Sequence, residues 1–243
     1  MMYTRYRLAS QMAPGKRVLE VGCGSGQGFG LVGGAAARVM GGDYSLPLLR
    51  RARAHYGARF PLVGLTAERL PFRAAAFDVV LCFEASYYIR DAPAAFGEMT
   101  RVLRPGGDIL FVNANPERPD FITSPHSTHY HTADEFRSTL SALGLEVTVE
   151  GAFPLDAGAS GVRAIPAVLA SAARRLLARL HLIPRTLRGR ARLKRLISSR
   201  LTPVPPELSS DLAHEAPRTP VPPGPVSGYK VLYVSARKPR PSR

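Results

Sequence analysis

Two hydrophobic rhythms take turns along this chain. Short apolar runs fenced by glycine or proline fall at residues 17–21, 37–45, 60–65, 77–84, 101–112, 145–153 and 228–236. The run FDVVLCF has almost no polar interruption, the pattern of a strand covered on both faces. Between these runs helices are expected over 31–37, a run of small residues, over 45–56, where Leu46, Leu49 and Ala52 recur at helical spacing, and over 94–103 and 133–143. A further short helix is expected over residues 3–12. Strand and helix in alternation imply an α/β fold: a mostly parallel, doubly wound sheet of seven strands with helices on both faces.

The first strand, Arg17–Val21, runs into the densest glycine cluster, Gly22-Cys23-Gly24-Ser25-Gly26-Gln27-Gly28. Glycines there let a backbone approach a ligand closely, and a following helix start offers free N–H groups. A dinucleotide loop needs G-x-G-x-x-G at the strand end, and Gln27 breaks that register. The literal match at Gly28–Gly33 starts too late to count. Two acids flank the cluster: Glu20 within the first strand and Asp43 at the end of the second, 23 residues on. A carboxylate at the second position suits a pair of ribose hydroxyls. Its bland alternative, capping the next helix, falls more naturally to Ser45.

Glu20 followed by Gly22-x-Gly24-x-Gly26 resembles motif I of the class I S-adenosylmethionine-dependent methyltransferases. G-L-T-A-E-R-L-P-F (64–72) is similar to the same family's G-D-A-E-x-L-P-F segment, and R-V-L-R-P-G-G (101–107) to its turn before the fifth strand. The resemblance covers about residues 15–153 and the last strand, and it implies a Rossmann-like sheet whose final strand returns antiparallel between the fifth and sixth. It also implies S-adenosylmethionine as cofactor, held by Glu20, Gly22, Cys23, Gly24, Gly26, Asp43 and Tyr44. Thr66, Ala67 and Glu68 would meet the adenine, with Phe83 packed on it. Thr66 stands where the family has aspartate, so adenine recognition there is uncharged or shifts to Glu68. In the resemblance the segment over residues 3–12 packs over the cofactor, with Tyr6 or Arg7 reaching its carboxylate.

The fourth strand ends in Cys82-Phe83-Glu84-Ala85-Ser86-Tyr87-Tyr88, without the Pro-Pro pair of amide and amine methyltransferases. Glu84, Tyr87 and Tyr88 are expected to line an acceptor pocket, with His129 and Tyr130 from the long loop at 113–132. That loop holds three of the six histidines, and His131 or His126 is the expected general base, because imidazole titrates near neutrality. No zinc spacing occurs, and no metal is expected. Cys23 and Cys82 read as reduced thiols of a cytoplasmic protein; no secretory leader or membrane-spanning run is read.

Charge is lopsided. Residues 1–150 carry 16 Lys/Arg against 14 Asp/Glu, while 151–243 carry 17 against 4. The core is therefore assigned to 1–153 plus 227–237, with a basic helical and Pro-rich insertion at 154–226 and a disordered basic tail at 238–243. Helices are expected at 165–182 and 186–201, inside a stretch (163–200) with 11 Lys/Arg and no acid. Such a pair suits a substrate lid, a membrane-surface patch or an anionic-partner patch. No nucleic-acid-binding signature accompanies it. The reading is methyl transfer to an O or N of a small-molecule acceptor; a membrane-surface enzyme on lipid or glycan intermediates, a dinucleotide-dependent reductase and a non-catalytic basic module stay open.

Overall fold

The computed structural model describes residues 1–155, 205–211 and 214–241. An N-terminal helix α1 (Met2–Met12) leads into β1 (Arg17–Val21), α2 (Phe29–Gly33), β2 (Arg38–Asp43), α3 (Leu46–Tyr56) and β3 (Leu62–Gly64). Then come β4 (Phe77–Phe83), a 3₁₀ turn (Ser86–Tyr88), α4 (Ala92–Val102), β5 (Leu103–Ala114), α5 (Ala133–Ala142) and β6 (Glu146–Pro154). A short β7 (Arg218–Pro220) and β8 (Tyr229–Arg237) complete it. The helices expected at 165–182 and 186–201 lie outside the described residues.

The strand order is β3-β2-β1-β4-β5-β8-β6-β7. β1 to β5 pair in parallel, and β8 inserts antiparallel between β5 and β6, as the resemblance implies. Among the described residues the sheet has eight strands rather than seven, because Arg218–Pro220 of the Pro-rich segment adds an antiparallel edge to β6. An edge is where proline is tolerated, since an outward N–H is not needed.

Alternation along each strand sorts two cores. Leu19, Val80, Cys82 and Phe111 face α4 and α5, packing on Phe96, Met99 and Phe136. Val18, Val79, Leu81 and Val112 face the opposite way, towards Tyr6, Phe29 and Tyr56 of α1–α3. Glu20 shares the parity of Val18, so its side chain lies on the α1 face. Leu46 opens α3 at 55% exposure, and Leu49 and Ala52 carry that helix's contact with the core.

β1 and β4 are neighbours although the chain leaves them towards opposite sides of the sheet. Their carboxyl ends thus form the crevice where an open α/β sheet binds ligands. Beyond the sheet, the segment returning from the insertion straps the α1–α3 layer. Leu208 is 3% exposed within that core, and its N–H donates to the Gln27 carbonyl of the glycine turn at 2.8 Å. After β8, Lys238 is tied down, its Nζ donating to the Thr100 and Leu103 carbonyls at 2.8 and 2.9 Å.

Candidate active site

The glycine turn occupies that crevice. Gly22, Gly24 and Gly26 have φ of 75°, 57° and 75°, left-handed values that side chains rarely adopt. At Gly22 the reason is also steric, since a Cβ there would lie 2.4 Å from the Ala85 Cβ at the β4 tip. Gly24 differs: a Cβ would meet nothing closer than Leu48 Cδ1 at 4.0 Å, so its surface faces a hollow. The turn is stitched from outside, with Tyr56 donating its O–H to the Gly26 carbonyl at 2.8 Å.

The Asp43 carboxylate braces the same turn. Oδ2 accepts from the Gly24 N–H and Oδ1 from the Ser45 N–H, both at 2.7 Å. Ser45 occupies the N-cap position of α3, but its hydroxyl makes no capping bond, and Asp43 satisfies its amide. Each carboxylate oxygen keeps a further lone pair for a ligand hydroxyl. Tyr44 beside it is 82% exposed.

Glu20 is 2% exposed, and its Oε1 accepts the Tyr6 hydroxyl at 2.5 Å. Burial pushes its carboxyl up to about 8, and the Asp43 charge adds to the rise; Tyr6 and Arg5 pull the other way. Burial likewise pushes the Cys23 thiol well up, and the side chain is packed within the core beside the turn. Phe83, also buried, meets the Tyr6 ring edge-on at 5.2 Å.

Farther along the crevice, Thr66 is exposed, Ala67 is buried, and Glu68 Oε1 accepts the Arg90 N–H at 3.2 Å. At the β4 tip, Glu84 has φ 50°, a strained value for a residue with a side chain. Its carboxylate is held between Arg5 Nη1 at 3.2 Å and the Tyr87 hydroxyl at 2.9 Å. Tyr130 stacks on Tyr87 with centroids 4.1 Å apart, and the Tyr88 hydroxyl shares a hydrogen bond with Ser124 Oγ at 2.9 Å. The 113–132 loop therefore reaches the β4 tip, as its position after β5 predicts.

The histidines separate. His126 is exposed on the loop, and His129 pairs with Glu135 at 3.0 Å. His131 packs between Phe96 and Phe136, with centroids at 5.5 and 5.2 Å. Burial lowers its pKa, and its Nδ1 is buried without a hydrogen-bond partner. Among the described residues no cluster of three or more His, Cys, Asp or Glu is arranged to hold a metal.

α1 supplies a layer the sequence did not reveal in full. Thr4 bonds the Tyr233 hydroxyl at 3.0 Å, Arg5 reaches Glu84 and Tyr6 reaches Glu20, whereas Arg7 is exposed. The available signal was polar residues on the buried stripe of an otherwise amphipathic helix. A positive-φ glycine hollow, an acid raised by burial, and a second acid lining the next strand tip fit a ligand with a cationic end and a ribose.

This sheet order is that of the class I methyltransferase fold. Residues 19–111 match the family model described as a methyltransferase domain. A probable S-adenosylmethionine-dependent methyltransferase of Mycolicibacterium smegmatis is 36% identical over 150 residues, 58% of this chain and 56% of that protein. A ubiquinone biosynthesis O-methyltransferase of Hahella chejuensis is 36% identical over 110 residues, covering 43% of this chain and 46% of that one. The chain spans about half the length of the curated relatives it matches. A solved S-adenosylmethionine-dependent methyltransferase structure from Thermotoga maritima shares the fold at TM-score 0.60 and 15% identity, covering 98% of this chain and 89% of that one.

Proposed function

We propose that this chain transfers a methyl group from S-adenosylmethionine to an oxygen or nitrogen of a small-molecule acceptor. The observation that carries this is the pairing of Glu20 and Asp43 across a turn whose three glycines hold left-handed φ. In this reading Gly22–Gly26 receive the methionine and ribose, Asp43 the ribose hydroxyls, and the Ala67 backbone with Thr66 or Glu68 the adenine. When bound, the cofactor supplies an electrophilic sulfonium methyl. Everything else is alignment: the chain holds the acceptor heteroatom in line and keeps water out, effects that supply most of such a barrier reduction.

Glu84, Tyr87, Tyr88, His129 and Tyr130 shape the acceptor side. His131, held neutral by burial, and the exposed His126 are the proposed bases for a hydroxyl acceptor. An oxygen acceptor is favoured by the relative named for O-methylation. Among the described residues no helix is long and apolar enough to cross a membrane. A peripheral membrane role for 163–200 belongs to the same proposal, tested by deleting that stretch and measuring vesicle binding.

The decisive experiment incubates the protein with methyl-labelled S-adenosylmethionine and a metabolite extract, then identifies the labelled product by mass. Transfer that disappears in Asp43→Ala supports the reading; no labelled product from any extract contradicts it. Turnover unchanged across pH in both His126→Ala and His131→Ala removes the histidine base.

A further inference from the structure

The second glycine run, Gly28-Phe29-Gly30-Leu31-Val32-Gly33, starts too late for a dinucleotide loop, yet each of its glycines meets a different element. A Cβ on Gly28 would collide with the Tyr6 ring of α1, one on Gly33 with the Phe60 ring ahead of β3, and one on Gly30 with the Glu207 carboxylate. The run is α2 and its N-cap, and no side chain caps that helix. A single turn with glycines at Gly30 and Gly33 does not hold its own shape. What packs on its bare backbone sets it.

The contact at Gly30 comes from the strap, residues 205–211. Glu207 is shared among three neighbours: Oε2 lies 3.0 Å from His55 Nε2, and Oε1 lies 3.4 Å from Arg59 Nη1 and against Gly30. His55 meets Tyr56 edge-on with centroids 4.4 Å apart, and Tyr56 donates to the Gly26 carbonyl at 2.8 Å. Leu208, the next strap residue, donates its N–H to the Gln27 carbonyl at 2.8 Å. Two consecutive carbonyls of the glycine turn are thus held from outside, one by the strap itself and one through the α3 residues that Glu207 touches. Phe29 joins the two, since a Cβ on Gly26 would meet its buried ring at 2.8 Å.

We infer that Glu207 and Leu208 are positioning residues for the Gly22–Gly28 turn, seated on the Cβ-free surface of α2 at Gly30, and that docking of the strap and occupancy of the turn by S-adenosylmethionine strengthen each other. The occupant rests on the methyl-transfer reading; the link from strap to turn stands without it. Coupling of this kind is reciprocal: a strap that preorganises the turn raises affinity, and a ligand that fixes the turn holds the strap down. The Glu207 side chain is 31% exposed, and ion pairs at that exposure contribute little by themselves. Glu207 therefore acts through where it places Leu208, not through the strength of its pairs.

Hydrogen exchange and calorimetry with S-adenosylhomocysteine, both on the full chain, test this with Glu207→Ala, Gly30→Ala and the double variant. In the parent, the ligand should slow exchange of the Leu208 amide, a measurement that needs no variant to fold. Without ligand, the glycine turn should exchange faster in each single variant than in the parent. Each single variant should also weaken the ligand about fivefold, the low end of coupling between sites. Gly30→Ala supplies a better helix former, so a purely structural role would leave α2 unharmed. Its cost comes from the displaced carboxylate and should vanish on the Glu207→Ala background, leaving the double variant no weaker than Glu207→Ala. Glu207→Gln, which keeps the side chain's length and an acceptor oxygen, should retain most of the affinity. Additive losses in the double variant, or a Leu208 amide whose exchange ignores bound ligand, overturns the inference. A faster-exchanging turn in variants of a chain that takes no S-adenosylhomocysteine leaves the positioning role standing and sinks the methyl-transfer reading. Parent-like binding and parent-like turn exchange in both single variants sink the strap's role alone.

Discussion

Glu20 shows how a single buried acid links stability to ligand binding. Its carboxyl is raised from 4.5 to about 8, chiefly by burial, so between those values the folded chain holds a proton that the unfolded chain has released. Stability must therefore fall as pH rises through that window, by up to about 5 kcal/mol in total. Thermal melts of the ligand-free chain from pH 5 to 8 should show this decline, and Glu20→Gln should flatten it. A cationic ligand beside the carboxyl reverses the preference and drives the proton off. Calorimetric enthalpies near pH 7 should accordingly depend on the buffer's ionisation heat in the parent chain. If they do not, Glu20 does not face the cation.

At the scale of elements, two features differ in how visible they are in the sequence. Thr132 and Glu135 form a full capping box at the start of α5, with Thr132 Oγ1 accepting from the Glu135 N–H at 3.2 Å. Thr132 was legible as a cap because capping is local, encoded within four residues. Thr132→Ala should cost about 1 kcal/mol in chemical denaturation, with the crevice intact. Leu208 was not legible, because nothing near it in sequence marks it; its role comes from contacts with residues some 180 positions earlier. Leu208→Ala should cost about 2–4 kcal/mol, and hydrogen exchange should quicken at the glycine turn through the lost support of Gln27. Unchanged exchange there would show that the strap and the turn are independent. β7 escaped notice for a related reason: three residues ending in proline carry no period of their own and pair only because β6 offers an edge.

Across the whole molecule, the sheet and its crevice were readable because burial on both faces and alternating strand and helix leave period and punctuation in the sequence. Glycines forced to positive φ and acids at strand tips are readable for the same reason: few other residues can stand there. The support from α1 was only half readable, since Arg5 and Arg7 are indistinguishable until the helix is set against β4. The acceptor side depends on side chains gathered from distant turns, which periodicity does not encode. The central claim is that Asp43 and the hollow at Gly24 grip a nucleoside sulfonium. Isothermal calorimetry of S-adenosylmethionine with the parent chain, Asp43→Ala and Gly24→Val measures it directly. The account predicts one-to-one binding by the parent, a loss of at least tenfold in Asp43→Ala and none detectable in Gly24→Val while both variants keep the parent's circular dichroism. Heat of equal size and affinity from all three proteins would contradict it.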